Sequence, residues 1–259
     1  MVRMIFDCHI HTKHFSTDAK MTIDECLNAL KCNNLSGIIT EHIDYNYPDP
    51  AQYVFDPNEY FTEFIKYRSD SLKLGVEVGM QDLALAKNKV LIQNNPFDMV
   101  IAATHMVLGA DIYYPEFYYD KSKETSYSEY FDAMLNGINK LGDFDTLAHL
   151  DYISRYSHYD DPYIHYSDYH RYIDEILNYI ISNDKALEIN TRLFDDEKAV
   201  NTIDEIMSVY SKMGGKYITF GSDAHIASNI GMNFKKACNI AQRYSLRPVY
   251  FENRNMQYV

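Results

Sequence analysis

Short apolar runs alternate with amphipathic segments about seven times along this chain, and nearly every run ends in a histidine or an acid. The runs lie at residues 2–6 (apart from Arg3), 38–40, 73–78, 99–103, 146–148, 186–189 and 216–220. Helical stretches fall between them at about 22–33, 58–71, 83–93, 128–141, around Tyr169 to Ile180, around Val200 to Tyr210, and near 233–244. Thr22 with Glu25 three places on is a capping box. Tyr169, Tyr172, Ile173, Ile176, Leu177 and Ile180 form a stripe at helical spacing, and Gly214-Gly215 stop the helix before them. Strands that alternate with helices argue for an α/β fold with a parallel sheet, open or closed into a barrel. No linker or shift in composition divides the chain, so residues 1–259 read as a single domain. An extended tail follows the last helix.

The ends of the runs carry the chemistry. His9 and His11 follow the first in Asp7-Cys8-His9-Ile10-His11-Thr12, and alternation along an extended chain puts both on one side. His42 follows the second run, Glu77 lies in the third, and His105 and His149 follow the fourth and fifth. Asp223 and His225 follow the seventh. The steps are roughly 30–45 residues, one strand–helix unit apiece, and in a parallel barrel such ends converge on one face. His14, His158, His165 and His170 fall outside the set. Eight imidazoles and carboxylates exceed the needs of one ion, since four-coordinate zinc takes about four ligands and a carboxylate can bridge. The set implies two or three divalent metals, and a mixture of imidazole and carboxylate without a thiolate cluster suits zinc, iron or manganese.

These residues resemble the polymerase and histidinol phosphatase (PHP) family, through Asp7-x-His9-x-His11-Thr12, Thr40-Glu41-His42, Gly75-x-Glu77, His105, His149 and Gly221-Ser222-Asp223-Ala224-His225. The segments around Ile39 to Tyr45, Tyr118 to Tyr130, His149 to Tyr152 and Glu188 to Thr191 are most similar to its histidinol-phosphate phosphatase branch. The resemblance implies a distorted (β/α)7 TIM-like barrel with a trinuclear centre. It would place His9, His11, Glu77 and Asp223 on a first metal, and Glu77, His105 and His149 on a second. Asp18, His42 and His225 would hold a third, with His14 as a rival to Asp18. Ala103-Thr104 before His105, and Met106 to Gly109 after it, depart from the family pattern.

Two adjacent metals lower the pKa of a bridging water and clamp the oxygens of an in-line phosphoryl displacement. A phosphate monoester also needs cations on its peripheral oxygens, and the arginine fork matches them. Arg155, six residues past His149, and Arg192, four past Glu188, are the candidates for catalysis and substrate binding. Asp7, Glu41, Asp151 and Glu188 are candidates to orient ligand histidines. Tyr113, Tyr114, Phe117, Tyr118 and Tyr119, in a loop spanning 106–125, are candidate walls of a pocket.

The expected substrate is a small phosphomonoester. A net charge of −13 disfavours a nucleic-acid grip, because that affinity comes mostly from Lys and Arg neutralising phosphates. A broad-specificity or phosphotyrosine phosphatase, or a nuclease or nucleotide phosphodiesterase, of the same family is the enzymatic alternative, and a metal-binding module without activity is the third class. The N-terminus shows no secretory pattern, and no apolar stretch is long enough to span a bilayer. Cys8, Cys26, Cys32 and Cys238 form no CxxC pair, which suits a reducing, cytoplasmic setting. Nothing in the sequence fixes an oligomeric state.

Overall fold

The computed structural model describes residues 5–49 and 51–259. The strands are β1 (Phe6–Ile10), β2 (Ser36–Ile43), β3 (Leu72–Gly79), β4 (Val100–Ala103), β5 (Met106–Val107), β6 (Ala110–Asp111), β7 (Thr146–Leu147), β8 (Ala186–Asn190), β9 (Tyr217–Gly221), β10 (Arg247–Glu252) and β11 (Asn255–Tyr258). The helices are α1 (Ile23–Cys32), α2 (Pro57–Phe64), α3 (Leu85–Asn94), α4 (Lys123–Leu141), α5 (Tyr166–Ser182), α6 (Glu197–Lys212) and α7 (Phe234–Arg243). One sheet runs β1-β2-β3-β4-β7-β8-β9-β10-β11, and every pairing in it is parallel except the last.

The sheet closes on itself. The His11 N–H donates to Ala224 O (3.0 Å) and the Ala224 N–H to His9 O (3.3 Å), so the end of β1 pairs with the chain leaving β9. Seven parallel strands thus form a distorted (β/α)7 barrel. Below that closure the first turn of β9 pairs instead with β10, Arg247 opposite Tyr217. β10 fills the wedge between β9 and β1: the Cys8 thiol donates to Val249 O (3.8 Å), and Tyr250 stacks on Phe6 with ring centres 3.9 Å apart. Phe6, Cys8, Ile38, Met99, Ile101, Ala148, Val249 and Phe251 form an apolar plug inside the barrel. The larger core lies between the strands and the helices.

A bulge in β1 makes room for both plug and site. Asp7 is opposite Gly37 and Ile10 opposite Ile39, so β1 spends one extra residue across that span. The extra residue shifts the alternation: Phe6 and Cys8 join the inner plug, Ile10 packs in the outer core, and His9 and His11 face the site. Bulges of this kind re-aim side chains beside active sites.

Several boundaries differ from the sequence reading. The first strand starts later, and most of the Asp7 motif lies inside it; residues 2–4 of the expected strand, like Pro50 of the loop after β2, lie outside the described residues. β2 extends to Ile43, so Glu41 and His42 are strand residues. α2 ends at Phe64 and passes into a 3-10 turn. α4 begins at Lys123 rather than near Ser128, because Ser122 caps it by accepting from the Thr125 N–H. The expected 106–125 loop therefore holds the β5–β6 hairpin, a 3-10 turn (Pro115–Tyr118) and the first turn of α4. The tail is the β10–β11 hairpin. No described helix is long and apolar enough to cross a membrane.

The β10–β11 turn is fastened under the barrel by charge. Arg254 donates from Nε to Asp145 (2.5 Å) and from Nη2 to Asp143 (2.8 Å), while its N–H meets Asp98 O (2.9 Å). Lys73, at the start of β3, pairs with Glu252 at the end of β10. Asp145 is buried and also accepts from the Val100 N–H (2.7 Å), so loss of the guanidinium would strand a carboxylate at the barrel floor. Arg254→Ala is expected to cost about 2 kcal/mol of stability, read as a lower urea midpoint with an unchanged slope.

Candidate metal centre

Glu77 stands at the middle of the upper end of the barrel, fully buried, with imidazoles from four strand ends around it. Its Oε2 lies 3.2 Å from His9 Nε2, 3.5 Å from His11 Nε2 and 2.9 Å from His42 Nδ1. Its Oε1 lies 3.0 Å from His149 Nε2 and 3.3 Å from His105 Nε2. Asp223 Oδ1 is 3.8 Å from His9 Nε2 and 3.5 Å from His11 Nε2. On the solvent side, Asp18 Oδ2 is 3.0 Å from His225 Nε2 and 3.7 Å from His42 Nε2. The nine residues anticipated as ligands thus lie in one cluster. His14 stands apart, its ring against Phe15 and Phe64. His165 pairs with Asp161, His170 lies by Ser167 O, and His158 lies edge-on to Tyr118.

The far nitrogens of three of these rings are held, which fixes the tautomer that leaves the near ones free. His9 Nδ1–H donates to Glu188 (2.7 Å), whose other oxygen accepts from the His149 N–H (2.7 Å). His105 Nδ1–H donates to Asp44 (3.1 Å). His11 Nδ1 is 3.3 Å from Ser16 Oγ; that hydroxyl donates to Glu41 (2.5 Å), so it accepts from the ring. Glu188 therefore orients a histidine directly and Glu41 does so through Ser16. Asp7 touches no ring nitrogen, contrary to expectation: it accepts from Ser222 N–H (2.9 Å), Ser222 Oγ–H (2.5 Å) and Gly231 N–H (2.9 Å), tying β1 to the loop that carries Asp223. Asp151 is buried without a partner on Oδ1. Ser16 and Asp44 escaped the sequence reading; the only signal for Asp44 was its place two residues past His42.

Two glycines are required by close approach. A Cβ on Gly221 would sit 2.0 Å from Glu188 Oε1 and 2.7 Å from His9 Cβ. One on Gly79 would lie 1.7 Å from Asp44 Oδ1. Asp223 itself has φ +53°, a strained backbone that is typical of functional positions.

The electrostatics suit cations. Burial works against the charged form of every group, yet three imidazoles hold Glu77 far below the usual carboxylate range, and Arg155 with His9 does so for Asp223. Burial likewise opposes a charged His42, but the carboxylates of Glu77 and Asp18 outweigh it and lift the ring to about 9. His9 and His105 are raised for the same reason, against burial. His11 is lowered, first by burial and then by His42 and His225. His9 Nε2, His11 Nε2, both His42 nitrogens and Glu77 Oε2 are buried without a well-formed hydrogen bond. Orphaned lone pairs of this kind, converging on one spot, fit divalent ions. The groups whose donor atoms lie close enough to share an ion are His9 with His11 and Glu77, His9 with His149 and Asp223, His42 with Glu77 and His105, and His11 with His42 and His225.

A cleft of about 470 Å³ opens over the cluster. Arg155 and Arg192 line it, as do Tyr47, Tyr53, Asp111, Tyr113, Tyr114, Tyr152 and Tyr156. Of the anticipated wall, Tyr113 and Tyr114 reach the cleft; Phe117 and Tyr118 are buried in the core, and Tyr119 is exposed elsewhere. Arg155 is engaged, donating to Asp223 Oδ2 (2.5 Å) and Asn190 Oδ1 (2.9 Å), with 4% of its side chain exposed. Arg192 is 34% exposed and holds Asp223 O at 2.9 Å.

Comparison with known proteins agrees with this geometry. A family profile described as PHP domain matches residues 7–192. The chain is 43% identical over 255 residues to a probable histidinol-phosphatase of Clostridium acetobutylicum, covering 98% of this chain and 100% of that one. It is 33% identical over 244 residues to a histidinol-phosphatase of Lactococcus lactis, covering 92% and 90%. The crystal structure of the histidinol phosphate phosphatase from Lactococcus lactis, complexed with zinc, L-histidinol and phosphate, superposes with a TM-score of 0.92 at 31% identity, covering 98% of both chains.

Gly221→Ala should displace Glu188 and His9 together, and the purified variant is expected to hold less metal than the parent by elemental analysis while keeping its circular dichroism. Glu77 and Asp18 raise His42 to about 9, so a zinc ion taking that ring near pH 7 would displace its proton. Zinc uptake is expected to release protons into a weakly buffered solution near pH 7, and this contribution should fade as the pH rises through about 9. A proton count that stayed flat across that range would contradict the assignment.

Proposed function

Because the chain belongs to the PHP domain family, we propose that it is a histidinol-phosphatase, a metal-dependent phosphomonoesterase that releases phosphate and L-histidinol from L-histidinol phosphate in histidine biosynthesis. The observation that carries this reading is the cluster itself: buried imidazoles and carboxylates with unpaired donor atoms, at the floor of a cleft that two arginines line. His9, His11, Glu77 and Asp223 would hold one ion, Glu77, His105 and His149 a second, and Asp18, His42 and His225 a third. When bound, divalent ions supply positive charge for the phosphoryl oxygens and lower the pKa of water.

The protein's own groups do the rest. Arg192, half-open to the cleft, binds a peripheral oxygen of the phosphate. Arg155 fixes the Asp223 carboxylate from behind and adds a second positive charge beneath the same oxygens. Glu188, Asp44 and Ser16 keep His9, His105 and His11 in one orientation, so the pocket needs little rearrangement when the ester arrives. The tyrosine walls exclude water from the leaving alcohol. The chain acts as one domain, and the setting is cytoplasmic, in keeping with four free cysteines.

The test is phosphate release from L-histidinol phosphate, p-nitrophenyl phosphate and a dinucleotide by metal-replete protein. The expected kcat/KM is highest for histidinol phosphate; cleavage of the dinucleotide alone would leave the metal site standing and overturn the substrate class. Arg192→Ala is expected to lower kcat/KM for monoesters by about 100-fold, with a smaller loss of metal than the change at Arg155, since Arg192 holds Asp223 O and His225 Nδ1. Arg155→Ala should lower activity and metal content together, since Asp223 loses its anchor.

A further inference from the structure

Four carboxylates line the cleft over the metal cluster: Asp18, Asp44, Asp111 and Asp223. Three have cationic partners already, Asp18 in His225 and His42, Asp44 in His105, and Asp223 in Arg155 and Arg192. Asp111 has none among the described residues. Its carboxylate accepts from the Tyr47 hydroxyl (2.8 Å) and the Tyr113 N–H (2.8 Å), both uncharged donors.

Asp111 is also built to stay in place. It ends the β5–β6 hairpin, paired with Met106, the residue after His105. The two-residue turn takes Leu108 at φ +52° and Gly109 at φ +81°, and the next amide, Ile112 N–H, donates back to His105 O (3.1 Å). Burial holds the Tyr47 phenol in its neutral form, so it can only donate towards Asp111. The position is thus locked to the backbone of a metal-site histidine, yet the charge it offers is unused. Around it stand the rings of Tyr113 and Tyr156, with centres 4.8 Å apart, and Tyr152 beyond.

We propose that Asp111 is the specificity-determining residue of this site, receiving the ammonium group of the substrate alcohol while Tyr47 steadies the carboxylate. The inference rests on the phosphatase reading above and extends it: the cleft selects esters of a cationic alcohol, with phosphate at the arginine and metal end and positive charge at the Asp111 end. A neutral alcohol finds a desolvated carboxylate with nothing to pair, which penalises it.

The experiment compares three esters, L-histidinol phosphate, its analogue lacking the amino group, and p-nitrophenyl phosphate, on the zinc-loaded parent, Asp111→Asn and Tyr47→Phe. Asp111→Asn is expected to raise KM for histidinol phosphate by about 10- to 100-fold, to bring it level with the desamino analogue, and to leave p-nitrophenyl phosphate within about twofold. Tyr47→Phe should shift KM in the same direction by less, and both variants should keep the parent's zinc content. Equal losses on all three esters would overturn the proposal, leaving Asp111 as a support for His105. So would a parent that handles the desamino analogue as well as histidinol phosphate. A parent inactive on every monoester would instead sink the phosphatase reading on which the proposal stands.

Discussion

A carboxylate without water, ringed by five imidazoles, is what the rest of this molecule is arranged to hold. Taking a carboxylate out of water unpaired costs several kcal/mol even after relaxation, and a whole domain is stable by only about 5–15 kcal/mol. Glu77 is tolerable where it is because His9, His11, His42, His105 and His149 arrive from β1, β2, β4 and β7 with nitrogens aimed at it. Three of those rings, His9, His105 and His11, have partners for their far nitrogens in Glu188, Asp44 and Ser16, which are buried too. Each polar group solves a neighbour's problem and creates one of its own, until the chain of dependence reaches backbone amides. Divalent ions held at the centre would end the regress, and their binding would then be coupled to the stability of the upper half of the barrel.

Much of this was legible before any coordinates. A parallel strand buried on both faces shows as an apolar run, and the residue at its carboxyl end shows as the first polar one, so His42, Glu77, His105 and Asp223 could be found by reading where each run stops. The repeat of that signal pointed to a parallel sheet, open or closed, and the family resemblance pointed to the barrel. The parts that escaped have no local signature. The β1 bulge is a mismatch between two strands thirty residues apart and cannot be seen in either alone. The β5–β6 hairpin has two residues per strand, too few for any period to register. Asp44 and Ser16 became visible only through the rings they hold, and Asp7 was assigned a histidine when its partners are the amides of residues more than two hundred positions away. Ser122, by contrast, was readable as a cap and was overlooked, which misplaced the start of α4.

The arginines illustrate how position and availability differ. Both were placed by counting from strand ends, and both line the cleft. Their freedom is set by partners that counting cannot reveal: Asn190 and Asp223 bury Arg155, while Arg192, bonded to Asp223 O and His225, stays 34% exposed. Two residues of the same type, at the same face, are thereby exposed to different degrees.

The way the barrel closes bears on how the chain is made. β1 completes its pairing only with residues after β9, and the wedge beside it is filled by β10, near the end of the sequence. As the chain leaves the ribosome, the first two histidines emerge early and wait, with an open sheet edge, while more than two hundred residues are added. Contacts so distant in sequence form late and slowly. Until they do, the imidazoles and acids of the upper end of the barrel are not all brought together. The last hairpin is therefore also the piece that seals the barrel beneath the site.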